Sequence, residues 1–394
     1  MSFLRLLLAV AVAAWIATGA AAARQDEIPV GMTAAFSGPL QLLGRSMQSG
    51  IEICFAETNA AGGIKGRPLR LIALDDSYDP ETAAANMRRL VRDHGVIAMV
   101  GSVGTPTAVE TLPIARAEKV LLFGAFTGAD ILRPDPPERY VINFRASYGE
   151  ETAAMVEGLL AQGIKPREIA FFTQDDAYGF AGYDGAIRAL AKAGFDGSRL
   201  AHGRYRRNTL AVEDALITLL DSDIPPRAII MVAAYGPAAK FIRLARRIFP
   251  DTLFLNLSFV GSEPLREALG PDGDGVIVTE VVPLLDSDLP AVHAFHKARA
   301  RFRPDDTPNL VMLEGYLAAR VFVEGLRAAP RIDREGVIDG LESLGDFDIG
   351  LGEPLTLTPD DHQASRMIWP TRFENGRSVS LPGRDWTAAS APIP

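Results

Sequence analysis

Residues 96–123 read VIAMVGSVGTPTAVETLPIARAEKVLLF. The apolar runs 96–100 and 120–123 are short enough for strands and too short for helices. Between them, 106–118 reads as a helix opening on Pro106, a residue suited to the first helical turn. A strand, a helix and a strand in that order form a parallel crossover unit, the signature of an α/β chain.

The unit recurs on both sides. Upstream lie a strand at 29–33, a helix at 44–59, a strand at 69–74 and a helix at 80–94. The first helix carries Met47, Ile51, Cys54, Phe55 and Thr58 on one face and stops at Gly62-Gly63 through left-handed backbone angles. The 69–74 strand reads as covered on both faces. The pattern restarts near Arg145, with helices at 149–162, 179–193, 211–220, 237–248 and 264–269. They alternate with strands at 169–173, 200–205, 228–232, 253–257 and 276–282. Three helices follow, at 290–302, 310–328 and 334–344, and hairpin-like strands come after Phe347. The expectation is two parallel α/β lobes in succession, divided as 24–144 with 282–343 and 145–281 with 344–394.

Residues 1–23 have a basic start at Arg5, an apolar run from Leu6 to Ile16 and small residues at Ala21-Ala22-Ala23. That reads as a signal peptide, expected to be cleaved, with an apolar part too short to span a bilayer. The one cysteine, Cys54, lies far from this segment and supplies no lipid anchor, so a free periplasmic protein is expected. The net charge of −9 and the lack of a basic stripe exclude nucleic acid and anionic membrane surfaces as partners.

Catalytic motifs are missing. No G-x-G-x-x-G follows the first strand, no Walker A exists, and there is no G-x-S-x-G elbow. No enzyme activity and no cofactor are expected. His293 and His296 share a helix face but lack further ligands, and Cys54 sits on an apolar face as an inert thiol. Asp75-Asp76 and Asp175-Asp176 follow strands and read mainly as loop and cap carboxylates, with Asp76 or Asp175 open to a polar ligand group.

Four loops carry the functional reading. In 101–107, Ser102, Thr105 and Thr107 place hydroxyls beside free helix N–H groups, a place for a ligand carboxylate. Simple N-capping by Thr105 explains the same residues. In 124–129, Ala125 and Phe126 add backbone donors and an aromatic wall, and Thr127 a hydroxyl. Tyr178 and Tyr235 follow strands of the second lobe. All four loops fall at strand C-termini, where open α/β sheets hold ligands.

The strings Phe36-Ser37-Gly38-Pro39, Asn59-Ala60-Ala61-Gly62-Gly63-Ile64-Lys65-Gly66 with Asp75-Asp76, Gln174 to Gly179, and Phe259-Val260-Gly261-Ser262 resemble the branched-chain amino-acid-binding proteins. These are solute-binding components of ATP-driven (ABC) importers. The resemblance implies two Rossmann-like lobes with parallel central sheets joined by a multi-crossing hinge, the type I periplasmic-binding fold. It implies a small-molecule ligand (amino acid, amide or small carboxylic acid), membrane permease subunits as partners, and a monomer. It maps ligand-binding hydroxyls onto Thr105, with neighbouring Ser102, and onto Thr127, and cleft tyrosines onto Tyr178 and Tyr235. Two positions depart: Leu43 stands where amino-acid binders often carry tryptophan, and Ser258 where they carry the acid that pairs with the ligand ammonium. Glu280 is the nearest substitute acid in sequence. A sensing module docked on a receptor kinase would use the same cleft.

Overall fold

The computed structural model describes residues 27–381, so the expected signal peptide lies outside the described residues. The chain opens with β1 (Ile28–Ala34), α1 (Gln41–Ala60), β2 (Leu69–Asp75), α2 (Pro80–Arg92), β3 (Ala98–Val100), α3 (Thr105–Glu118), β4 (Leu121–Phe123) and β5 (Val141–Ile142). The five strands make one parallel sheet in the order β2-β1-β3-β4-β5. The quoted crossover unit is β3–α3–β4 at its centre. One expectation fails here. The strand at 69–74 is not covered on both faces: β2 is an edge strand, and its residues 71–74 stay half-exposed. An apolar run does not reveal where in a sheet its strand sits.

The second part runs α4 (Tyr148–Ala161), β6 (Ile169–Gln174), α5 (Ala177–Lys192), β7 (His202–Tyr205), α6 (Glu213–Leu220), β8 (Ala228–Val232), α7 (Tyr235–Arg246), β9 (Leu253–Leu257), α8 (Ser262–Leu269) and β10 (Ile277–Glu280). α4 begins on a capping box, Ser147 and Glu150 each satisfying the other's backbone N–H. Then come α9 (Pro290–Phe302), α10 (Leu310–Ala328), α11 (Arg334–Glu342), β11 (Gly345–Phe347), β12 (Leu355–Leu357), β13 (Trp369–Glu374) and β14 (Arg377–Ser380). The second sheet has the order β14-β13-β10-β9-β8-β6-β7, parallel except where β13 pairs with β10 and β14. The expected mixed α/β architecture with two parallel sheets holds.

α10 returns to the first sheet and crosses α1 at backbone distance. Gly315 lies against the Met47 carbonyl, and a Cβ on Gly50 would stand 2.7 Å from the Tyr316 nitrogen. The β11–β12 hairpin packs there too. Arg320 of α10 donates to the Ile349 carbonyl at 3.0 Å, and Ala291 N–H of α9 to the Gly350 carbonyl at 3.0 Å. Residues 344–357, expected with the second lobe, thus contact helices of the first.

Three segments pass between the sheets: 143–147, 281–289 and 358–368. The first and third run side by side. Asn143 N–H donates to the His362 carbonyl at 2.7 Å, Ala364 N–H to the Asn143 carbonyl and Ser365 N–H to the Phe144 carbonyl, both at 2.9 Å. Among the described residues no helix is long and apolar enough to cross a membrane.

Candidate functional site

The loop after β3 turns on Gly104, whose φ of 109° is closed to other residues. A side chain there would also strike the Tyr78 ring. The turn corrects the expected capping role of Thr105. The helix starts at Thr105 itself, Gly104 is the cap residue, and no side chain caps it. The Thr105 hydroxyl is therefore left for another task. It meets the Thr127 hydroxyl at 2.7 Å, both residues being buried. The Tyr148 hydroxyl at the start of α4 is buried beside this pair, within reach of both threonine hydroxyls.

Aromatic rings from both sheets close over these hydroxyls. Phe126, after β4, lies 5.3 Å from Phe259, which follows β9. Phe259 lies 4.5 Å from Tyr178, and Tyr178 lies 5.5 Å from Tyr148. Tyr78 of the first sheet's loops stacks 6.2 Å from Phe259, and Gln174 donates to its hydroxyl at 3.3 Å. Burial pushes the phenols of Tyr78 and Tyr178 well above their usual range, so both stay neutral.

Beneath the rings lies a buried ionic cluster. Arg145, on the first crossing, is fully buried, its guanidinium 4.7 Å from the Phe126 ring centre and 6.0 Å from that of Tyr148. One of its nitrogens contacts the Ser258 hydroxyl and lies 3.5 Å from the Glu151 carboxylate; the other Nη lies 3.6 Å from Glu314. Burial opposes the Arg145 charge, but Glu314 and Glu151 outweigh it and hold the guanidinium protonated. Glu151 accepts from the Ser258 N–H at 2.8 Å, the Ser258 hydroxyl at 2.9 Å and the Thr279 hydroxyl at 2.7 Å. Burial raises its pKa, while Arg145 and these donors favour the charged form. Burial lifts Glu314 to about 7. Glu280 contacts the Ser262 hydroxyl, and burial raises it well above the carboxylate range.

The structure thus brings Thr105, Phe126, Thr127, Tyr178 and Ser258 together. Leu43 packs at the rim, where a Cβ on Gly261 would stand 2.6 Å from its side chain. Ser102 and Ala125 serve the loops instead. The Ser102 hydroxyl accepts from Thr33 N–H at 3.4 Å, and its carbonyl from Phe126 N–H at 2.8 Å. Thr127 N–H donates to the Ala125 carbonyl at 2.7 Å, so of the backbone donors in this loop those of Phe126 and Thr127 are already engaged. Tyr235 stands apart from the ring stack. It lines an apolar cavity of about 250 Å³ between Pro39 and Leu40 on one side and Tyr205, Leu210 and Pro237 on the other.

The paired aspartates brace loops. Asp76 accepts from the Thr33 hydroxyl at 2.8 Å and Tyr78 N–H at 2.9 Å, and burial lifts it to about 6. Asp176 caps α5 through Tyr178 N–H, and Asp175 faces Arg204 at 3.7 Å. His296 bonds the Leu285 carbonyl, and His293 sits 3.1 Å from Asp288. Sequence reasoning missed Tyr78, Arg145, Tyr148, Glu151, Phe259 and Glu314. Arg145 had a signal, standing where the strand-helix pattern restarts; Glu151 and Glu314 look like ordinary helix-surface acids.

The model of the family described as "periplasmic binding protein" matches residues 27–377. A curated relative from Brucella abortus, "Leu/Ile/Val-binding protein homolog 7", is 24% identical over 95% of this chain and 96% of its own. A crystal structure from Rhodopirellula baltica, "a possible leucine/isoleucine/valine-binding protein", superposes with a TM-score of 0.88 at 47% identity, covering 90% of this chain and 96% of that one. A solute-binding protein of an ABC transporter from R. palustris, solved with benzoate, shares the fold at a TM-score of 0.77 and 20% identity, covering 90% and 95%. Two largely parallel sheets and three crossings agree with these matches: the chain belongs to the periplasmic binding proteins of the type I fold, in the branched-chain amino-acid-binding family.

Proposed function

We propose that this protein is exported to the periplasm on a cleaved signal peptide. There it captures a small amino-acid-like, carboxylate- or amide-bearing solute between two lobes and delivers it to the permease of an ABC importer, without chemistry. The lobes are the two sheets with their helices, joined at 143–147, 281–289 and 358–368. The observation that carries this reading is the meeting of Thr105 and Thr127 from one sheet with Tyr178 and Phe259 from the other, under rings that exclude water. Hydroxyls in so dry a place bind an anionic oxygen strongly, because no solvent competes. Hinge closure about paired crossing segments suits capture. The relatives' names point to branched-chain amino acids, and the benzoate complex shows that the fold also serves an acid without an amine.

The test is a thermal-shift screen of the chain from Arg24, stripped of copurified solute, against amino acids, amides, aromatic acids and short carboxylic acids. A solute at 100 times its Kd stabilises by about 2.7 kcal/mol, a shift of a few degrees. Melting unchanged across the panel would count against solute capture.

A further inference from the structure

The buried cluster lacks one feature of an amino-acid site: a carboxylate without a partner of its own, free to meet an ammonium. At the place where the family's acid falls, this chain has Ser258, and the nearest carboxylate, Glu151, is already engaged. Both its oxygens are taken by Ser258, Thr279 and Arg145. The cationic place is filled from within. The Arg145 guanidinium contacts Ser258 and lies over Phe126, the residue that precedes Thr127. A second cation beside it would be repelled at close range in a poorly screened interior. Yet Arg145 is not saturated. Its Nε is buried and makes no hydrogen bond among the described residues, while Nη1 faces Glu314 at 3.6 Å. An unmet buried donor on a charged group is costly, and a carboxylate oxygen would satisfy the Nε–H through a charge-assisted hydrogen bond.

We propose that the solute is a small carboxylate lacking an α-amino group, and that Arg145, held by Glu151 and Glu314, takes the place of the ligand ammonium and donates its free Nε–H to the solute. This rests on the interlobe cleft being the binding site. Of the remaining acids, Glu280 is occupied by Ser262 and Glu314 faces Arg145; neither offers a separate partner to an ammonium.

Calorimetry on the stripped wild-type protein tests this with matched series: leucine, 4-methyl-2-oxopentanoate and 4-methylpentanoate, then phenylglycine, phenylglyoxylate and benzoate. The expected result is that the amine-free acids of at least one series bind ten-fold or more tightly than the amino acid. An amino acid that binds equally or better overturns the inference while leaving solute capture standing. Binding by no member of either series, with the corresponding amides binding, overturns the carboxylate class. Binding by neither acids nor amides fails the cleft reading itself and this inference with it. Arg145→Lys keeps the charge and loses the Nε–H. It should weaken acid binding at least ten-fold while the free protein still melts cooperatively; unchanged affinity removes Arg145 from the site. If that variant does not fold, the wild-type series still decides.

Discussion

Thr105 and Thr127 share one hydrogen bond and retain further hydrogen-bonding capacity for a solute. Replacing both by valine keeps their volume. Each hydroxyl bonded to an anionic oxygen is worth about 1.5–3 kcal/mol, so the double variant should bind the solute at least ten-fold more weakly. Calorimetry checks this; unchanged affinity would remove the hydroxyls from the site. Glu314 makes a different prediction. Its folded pKa of about 7 lies above the unfolded value near 4.5, so the folded state holds the extra proton. Its contribution is therefore fully present below about pH 4.5 and lost as pH rises through about 7. Glu314→Gln should remove that loss, so its Tm relative to wild type should climb between pH 5 and pH 8. A constant Tm difference would show that Glu314 does not titrate there.

At the scale of elements, the crossing of α1 and α10 depends on two glycines. Gly50 leaves no room for a methyl group against the α10 backbone, which is rigid and cannot yield. Gly66, by contrast, has a positive φ, 82°, but nothing lies within 4 Å of its missing Cβ. Gly66→Ala should cost only backbone strain, about 1 kcal/mol. Gly50→Ala, at a helical φ, carries no such strain but overpacks the α10 backbone at about 1–3 kcal/mol, and should lower Tm further, as a melting comparison would show. Equal Tm losses would mean that the helices separate freely. The helices themselves are visible in sequence: 290–302 and 310–328 match α9 and α10 residue for residue. Their apolar spacing reports a buried face directly. The edge position of β2 does not, because it depends on which strand pairs with which.

At the scale of the molecule, an exposed ion pair joins the parts built on the two sheets: Arg188 of α5 reaches Asp130, in the loop after β4. Exposed pairs contribute about 0–1 kcal/mol and are screened by salt. If this pair favours the closed form, Arg188→Ala should weaken apparent affinity by about two- to five-fold at low salt, and less at high salt. An effect that salt leaves untouched would deny it this role. Scattering should show compaction when solute binds; an unchanged radius of gyration would count against hinge closure.

What this sequence determined by itself was local. The alternation of short apolar runs with helical stretches defined the α/β class, and the glycine- and hydroxyl-bearing loops at strand ends marked Thr105 and Thr127. Ser258 and Leu43 stood out as departures from the family pattern. Tertiary structure alone decided what fills the place of the missing acid. Glu151 lies 107 positions before Ser258, and Arg145 another six before that. Nothing in local spacing couples a helix-surface acid to a distant serine. Only the folding of α4 against β9 and β10 buries them together, and only burial turns an arginine between two lobes into a fixed cation.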